Sequence, residues 1–138
     1  MVTRLNPYLS FRDTAREAME FYRGVFGGEL ELSTFGEAGM EVGPGEEGLV
    51  MHAMLESPGG LVLMGADTPS TMEHTPGGQV SVSLSGDDHG ELRGYWDALS
   101  EGGTVTVPFM AAPWGDTFGM CVDRFGIEWM VNAAGSGA

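Results

Sequence analysis

The chain has 138 residues, 42% of them hydrophobic, which is enough for one compact domain or two small halves sharing a core. Twenty acidic residues against six arginines, with no lysine, give a formal net charge of -14. This charge repels phosphate backbones and anionic lipids, so we expect neither nucleic acid nor a membrane as a partner. No apolar run is long enough to span a membrane and the N-terminal residues lack the pattern of an export signal, which predicts a cytoplasmic protein. Cys121 is the only cysteine, so an internal disulfide is excluded and a buried structural role is expected.

The first half of the chain has the pattern of a strand, an amphipathic helix and three further strands. Thr14 and Glu17 have the spacing of a capping box at the start of the helix, and Gly27-Gly28 ends it. The predicted strands of this half are residues 7–11, 29–35, 49–56 and 61–66.

The same order of elements recurs about 75 residues later, which indicates an internal repeat. Asp87-Asp88 is placed to cap the second helix, and Gly102-Gly103 is placed to end it. The predicted strands of this half are residues 80–85, 104–109, 117–122 and 127–132. We therefore predict a single domain, residues 1–138, built from two modules at residues 4–67 and 79–132.

Short motifs in both halves carry a family resemblance. They are Pro7-Tyr8-Leu9-Ser10-Phe11, Phe21-Tyr22 before Phe26-Gly27-Gly28, Met51-His52-Ala53, Trp114-Gly115-Asp116, and Asp123-Arg124-Phe125-Gly126 before Trp129. With these motifs the chain resembles the vicinal oxygen chelate superfamily, which includes glyoxalases, bleomycin resistance proteins and dioxygenases. Within the superfamily it is similar to the branch of the phosphonate-operon protein, whose members are often labelled demethylubiquinone methyltransferase-like.

The resemblance implies an α+β fold in which two βαβββ modules form a cup-shaped mixed sheet. The helices lie outside this cup, and the cup encloses a cavity for a ligand. The superfamily uses this one scaffold for lyases, epimerases, dioxygenases, thiol transferases and plain drug-binding proteins, so the resemblance is specific for the fold and leaves the activity open.

Metal-dependent members of the superfamily place one ligand on the first strand and one on the last strand of each module. The resemblance carries these positions onto Pro7, Met64, Ser81 or Val82, and Met130. Hard and borderline divalent metals need oxygen or imidazole donors, and these residues do not supply such a set. We therefore expect no cofactor; a divalent metal is left open, although its usual ligand positions are not filled.

His52 and Glu128 are the candidate catalytic residues. His52 on its predicted strand either lines the cup as a base or hydrogen-bond donor to a ligand, or is satisfied by a backbone carbonyl at an exposed edge. Glu128 shares a strand face with Met130 and is either a polar contact or general base in the cup, or a rim residue that faces water. Trp129 has the opposite parity, which predicts a position in the core.

Four other residues are candidate contacts to a ligand. Trp114 lies in a hairpin, where it is placed to close over a ligand as an aromatic wall, while Asp116 either contacts the ligand or fixes the turn. Met64 and Met130 lie on predicted strands, where methionines that face a cavity make a soft and adaptable wall.

Two functions remain open from the sequence. The first is a glyoxalase/bleomycin-resistance-like protein that binds a small, partly apolar molecule in the cup without the usual metal chelate, as a homodimer. The alternative is an enzyme of the lyase, isomerase or dioxygenase type whose divergent site uses His52 and Glu128. A methyltransferase is disfavoured because the chain has no glycine-rich turn from a strand to a helix with an acidic ribose contact downstream.

Overall fold

The computed structural model describes residues 5–72, 74, 77 and 80–135, and the chain divides into two compact units, Met1–Pro76 and Gly77–Ala138. The first unit contains β1 (Tyr8–Phe11), α1 (Ala15–Phe26), β2 (Glu29–Thr34), β3 (Val50–Glu56) and β4 (Val62–Asp67). The second unit contains β5 (Val82–Gly86), α2 (His89–Ser100), β6 (Thr104–Ala111), β7 (Thr117–Val122) and β8 (Glu128–Ala133). The predicted α+β fold with a repeated βαβββ order is confirmed, whereas the cup, the single domain and the module bounds stay predictions.

Each unit has one four-stranded mixed sheet with equivalent topology. The strand order is β1-β4-β3-β2 in the first sheet and β5-β8-β7-β6 in the second, and the only parallel pairs among these described strands are β1 with β4 and β5 with β8. The helix of each unit packs on one face of its own sheet. We call the opposite face of each sheet its helix-free face.

Alternation along the strands decides which residues reach the core. In the first unit Leu9 and Phe11 of β1 are buried on the helix side, whereas Tyr8 and Ser10 point to the helix-free face. In the second unit the core includes Trp129, which is 1% exposed, as its opposite parity to Glu128 predicts. The expected burial of Cys121 is also confirmed.

The predicted capping box of α1 is wrong. Thr14 makes no side-chain capping bond, because its backbone (φ -115°, ψ 13°) does not have the extended conformation of an N-cap residue. The carboxylate of Asp67, 6% exposed at the end of β4, takes this role: its Oδ1 accepts from the Ala15 amide at 2.8 Å and its Oδ2 from the Val50 amide at 2.9 Å. One buried side chain thus joins the start of α1 to the start of β3.

The other sequence features of the helix ends are confirmed. Asp88 caps α2 by accepting from the Glu91 amide at 3.0 Å. Glycine is required where β2 and β6 begin, because a Cβ on Gly28 would collide with the Glu56 carbonyl and one on Gly103 with the Val122 carbonyl. The repeated Gly-Gly of the sequence therefore reflects a close backbone approach that both units share. None of the helices in the described part of the chain is long and apolar enough to cross a membrane.

Candidate functional site

The helix-free face of the first sheet carries side chains of several chemical types. Strand register places Tyr8 of β1 beside Met64 of β4, and Met64 beside Met54 of β3. His52 lies two residues before Met54 on the same face and is paired with Ser33 of β2. An aromatic residue, two thioethers and an imidazole therefore share one surface.

Tyr8 and His52 form a hydrogen-bonded pair across this surface. Tyr8 Oη lies 3.1 Å from His52 Nδ1, and the two ring centroids are 5.8 Å apart at an interplanar angle of 36°. The strands of these residues are not neighbours, since β4 lies between them, so the long tyrosine side chain spans the gap. Partial burial raises the pKa of the Tyr8 phenol above its ordinary value, which keeps its proton on the oxygen at neutral pH.

A depression of about 180 Å³ lies on the side of His52 toward β2. It is lined by Glu31, Leu32, Ser33, His52 and Met54. A second depression of about 290 Å³ continues along β2 and β3 and shares Glu31 and Met54 with the first. Its other lining residues are Gly28, Glu29, Glu56, Ser57 and Pro58. The two depressions together have a thioether at their common wall and three carboxylates around them.

The second unit repeats part of this surface. Met120 of β7 pairs with Met130 of β8 at the position where Met54 pairs with Met64 in the first unit. Glu128 accepts a hydrogen bond from the Ser81 hydroxyl at 3.0 Å, so the carboxylate has a partner within its own unit. The methionine pair is therefore common to both helix-free faces.

The structure separates the sequence-predicted site residues into two groups. His52 and Met64 lie on the helix-free face of the first sheet, whereas Glu128 and Met130 lie on that of the second. Trp114 is exposed in the β6–β7 hairpin. Asp116 in the same hairpin accepts bonds from the Gly135 amide at 2.8 Å and from Asn132 Nδ2 at 3.0 Å.

The two hydrogen bonds to Asp116 affect both the acidity of its carboxyl and the position of the hairpin. The Gly135 amide and the Asn132 side chain together hold the pKa of the Asp116 carboxyl below its usual value. They also fasten the hairpin to the end of β8, which is the turn-fixing alternative of the sequence reading. Contacts of Trp114 and Asp116 with a ligand stay predictions.

Tyr8 is a site residue that the sequence analysis did not identify. The alternation of residues 7–11 contained the signal, because a strand that buries Leu9 and Phe11 must turn Tyr8 to the opposite face. What the sequence did not show was that β1 lies next to β4, which brings Tyr8 within reach of His52.

The described residues do not match the metal chelate that the family resemblance implies. Pro7 precedes β1, and the residue beside Met64 on the helix-free face is Tyr8, whose hydroxyl is bonded to His52. The residue beside Met130 is Ser83. The paired positions that correspond to the metal ligands thus offer a thioether and a hydroxyl, which are poor ligands for a divalent zinc or magnesium ion. The described residues also contain no group of three or more His, Cys, Asp or Glu able to hold a metal ion. A function without metal stays a prediction.

Comparison with known proteins agrees with this fold. The family model of the Glyoxalase/Bleomycin resistance protein/Dioxygenase superfamily matches residues 4–131. The chain belongs to this superfamily. The glyoxalase-superfamily chain is 26% identical to the protein YjdN of Escherichia coli over 139 residues, with 93% of each chain covered.

Solved structures place it among relatives of similar length. It is 32% identical to protein PA1353 from Pseudomonas aeruginosa, with a TM-score of 0.82 and coverage of 96% of this chain and 98% of that one. It is 26% identical to the PhnB protein from Bacillus cereus, described as a putative 3-demethylubiquinone-9 3-methyltransferase, with a TM-score of 0.73 and coverage of 96% and 100%. The predicted similarity to the branch whose members are labelled demethylubiquinone methyltransferase-like is thereby confirmed.

Proposed function

We propose that this glyoxalase-superfamily protein binds a small, partly apolar molecule on the helix-free face of its first sheet, without the usual metal chelate. The observation that carries the proposal is the hydrogen-bonded Tyr8–His52 pair beside a depression walled by Met54. If Tyr8 had only a structural role in its own unit, it would not need to bind the His52 imidazole at the rim of the depression.

The size and lining of the depression indicate the kind of molecule. Pockets for drug-sized ligands usually measure roughly 300–1,000 Å³, so a depression of about 180 Å³ suits one ring or one end of a longer ligand. Methionine side chains adapt to irregular apolar shapes; Met54 lines the depression, and Met64 is paired with Met54 on the neighbouring strand. The polar groups of His52 and Ser33 then orient the ligand.

Methionine methyl groups give a direct test. We expect that protein carrying ¹³C-methyl methionine, titrated with a library of small ring compounds, shows shifts of the Met54 and Met64 signals for the compounds that bind. Met40 and Met72 are matched controls, because they are exposed methionines of the same unit that do not line the depressions. Met54→Leu and Met64→Leu assign the signals.

The outcomes of this titration are distinct. Selective and saturable shifts at Met54 and Met64 support the proposal. Equal shifts at Met40 and Met72 indicate nonspecific adsorption, and no shift with any compound of the library indicates that this face binds no such molecule. Either of the latter results contradicts the proposal.

An enzyme that uses His52 as a general base is the second candidate. The contact with Tyr8 holds the imidazole in one orientation, but a base requires Nδ1–H to donate to Tyr8 Oη so that Nε2 is free to take a proton. The tautomer of His52 therefore distinguishes this candidate from the binding protein. A lyase, isomerase or dioxygenase reaction then requires His52, and turnover of any bound compound should disappear in His52→Ala while the Met54 signal still reports binding. Retained turnover in His52→Ala contradicts this candidate.

Two further features are proposed from the sequence. Homodimerisation is expected because small modules of this kind have sheet edges available for pairing. Light scattering coupled to size exclusion distinguishes a dimer from a monomer of 14.6 kDa. A cytoplasmic location is the compartment that the sequence favours.

A further inference from the structure

We infer that Tyr8 is a positioning residue that fixes His52 as the tautomer protonated on Nε2, and that the bound molecule is therefore a neutral amide. This inference rests on the binding site proposed above and names its ligand class. It follows from the direction of one hydrogen bond and from the groups that surround the depression.

The acidities of the two partners decide the direction of the hydrogen bond. A phenol hydroxyl, with a pKa of about 10, is a better donor than a neutral imidazole N–H, and an imidazole nitrogen is a better acceptor than a phenol oxygen. Partial burial raises the pKa of the Tyr8 phenol further, so the proton is present to be donated. The Tyr8 hydroxyl therefore donates to His52 Nδ1 across 3.1 Å, which leaves the ring proton on Nε2.

The shape of the imidazole ring decides where that proton points. The two ring nitrogens project in widely different directions, so Nε2 faces away from Tyr8. His52 Nε2 makes no hydrogen bond to a residue in the described ranges, and His52 lines the depression on the side of β2. His52 thus presents one N–H donor, at Nε2, to the depression.

Strand β2 supplies the hydrogen-bond acceptor of the depression. Glu31 lines the same depression and presents a carboxylate, which accepts hydrogen bonds only. Ser33 supplies a hydroxyl that donates or accepts. A molecule that matches both His52 and Glu31 needs a carbonyl oxygen as an acceptor and an N–H group as a donor, and both belong to an amide.

The negative charge around the depression excludes carboxylates, the nearest competing class of ligand. Glu29, Glu31 and Glu56 all line the adjoining depression, and the chain carries a net charge of -14. A carboxylate ligand has the acceptor for His52, but it lacks the donor for Glu31 and is repelled by these side chains. An amide has the same shape without the charge.

The first experiment measures the tautomer in the free protein. We expect the ¹⁵N shifts of the histidine rings at about pH 8, where imidazole side chains are neutral, to show His52 as the Nε2–H form. His89 is an internal reference, because its Nε2 lies 3.1 Å from the Ala134 carbonyl, which only accepts. In Tyr8→Phe the two ring shifts of His52 should move toward each other. A wild-type His52 protonated on Nδ1, or unchanged shifts in Tyr8→Phe, overturns the inference.

The second experiment compares three probes of one shape: benzamide, N,N-dimethylbenzamide and benzoate, followed by the Met54 methyl signal. We expect benzamide to bind at least about tenfold more tightly than either other probe, since each of these loses a hydrogen bond to a charged group or adds a repulsion. Tyr8→Phe should weaken benzamide binding by about two- to tenfold. Ser10→Ala, which removes a hydroxyl two residues along the same strand face, should leave it unchanged.

The results separate the two proposals. Equal binding of the three probes, tighter binding of benzoate, or no effect of Tyr8→Phe overturns the amide inference, while a Met54 response still supports a binding site. If none of the three probes binds, the amide inference is likewise overturned. The proposed function then depends on the wider library of ring compounds.

Discussion

Replacing Asp67 by Ala tests how the first unit joins its helix to its sheet. The buried carboxylate accepts from the amides of Ala15 and Val50, both of which are fully buried. Hydrogen bonds to charged groups contribute about 1.5–3 kcal/mol each, so the loss of both predicts a decrease of about 3–6 kcal/mol in the free energy of unfolding. Thr14→Ala, at the residue that lacks a capping bond, should cost less than about 0.5 kcal/mol.

Urea unfolding followed by far-UV circular dichroism measures both changes, and amide hydrogen exchange at Ala15 and Val50 provides a local readout. Asp67→Asn is the isosteric control: it keeps one acceptor oxygen and places an NH₂ group against the other amide, so it should be intermediate. If Thr14→Ala costs as much as Asp67→Ala, or if Asp67→Ala costs less than about 1 kcal/mol, the reasoning from burial and hydrogen bonding is refuted.

Three further predictions concern single positions. Gly28→Ala should destabilise by more than about 2 kcal/mol in urea because its Cβ meets a carbonyl, whereas Gly24→Ala, inside α1 with open space around its Cβ, should stabilise by about 0.5–1 kcal/mol; equal effects contradict the close approach. Because the pKa of Asp116 is lower in the folded state, its carboxylate stabilises the fold at pH values above the unfolded-state pKa, and this stabilisation is lost as the pH falls through the folded-state pKa. The difference in stability between wild type and Asp116→Asn should therefore close below about pH 4. A difference that widens at low pH refutes this prediction. Burial raises the pKa of Cys121 to about 11, so iodoacetamide at about pH 8 should alkylate it at least about a hundredfold more slowly in the folded chain than in urea, and similar rates contradict its burial.

Alternation and helix spacing were sufficient to predict the order of the ten elements in the described part of the chain, because each strand and helix must turn one apolar face to a core. The strand at 117–122 was predicted at the observed bounds, and the other strands differ by one or two residues at one or both ends. Parity also placed Trp129 in the core. These features depend on neighbours along the chain, which a single sequence displays.

Contacts between distant residues were beyond this reasoning. The capping of α1 was assigned to Thr14 because Thr14 is adjacent in sequence, but the acceptor is Asp67, 52 positions after the Ala15 amide that it binds. The Tyr8–His52 bond spans 44 positions and depends on the parallel pairing of β1 with β4. Local patterns cannot show which strand lies next to which, so both contacts required coordinates.

The two units differ in a way that bears on ligand choice. Both keep the same pair of methionines on the helix-free face, Met54 with Met64 and Met120 with Met130, so the apolar part of the surface is common to both. The register places Phe118 in the second unit where the first has His52, since each comes two residues before its methionine on the same strand face. An apolar wall present in both units contributes affinity for a partly apolar molecule but distinguishes poorly between molecules of similar shape. We therefore expect the hydrogen bonds that orient such a molecule to come from the first unit, where His52 lies beside the depression.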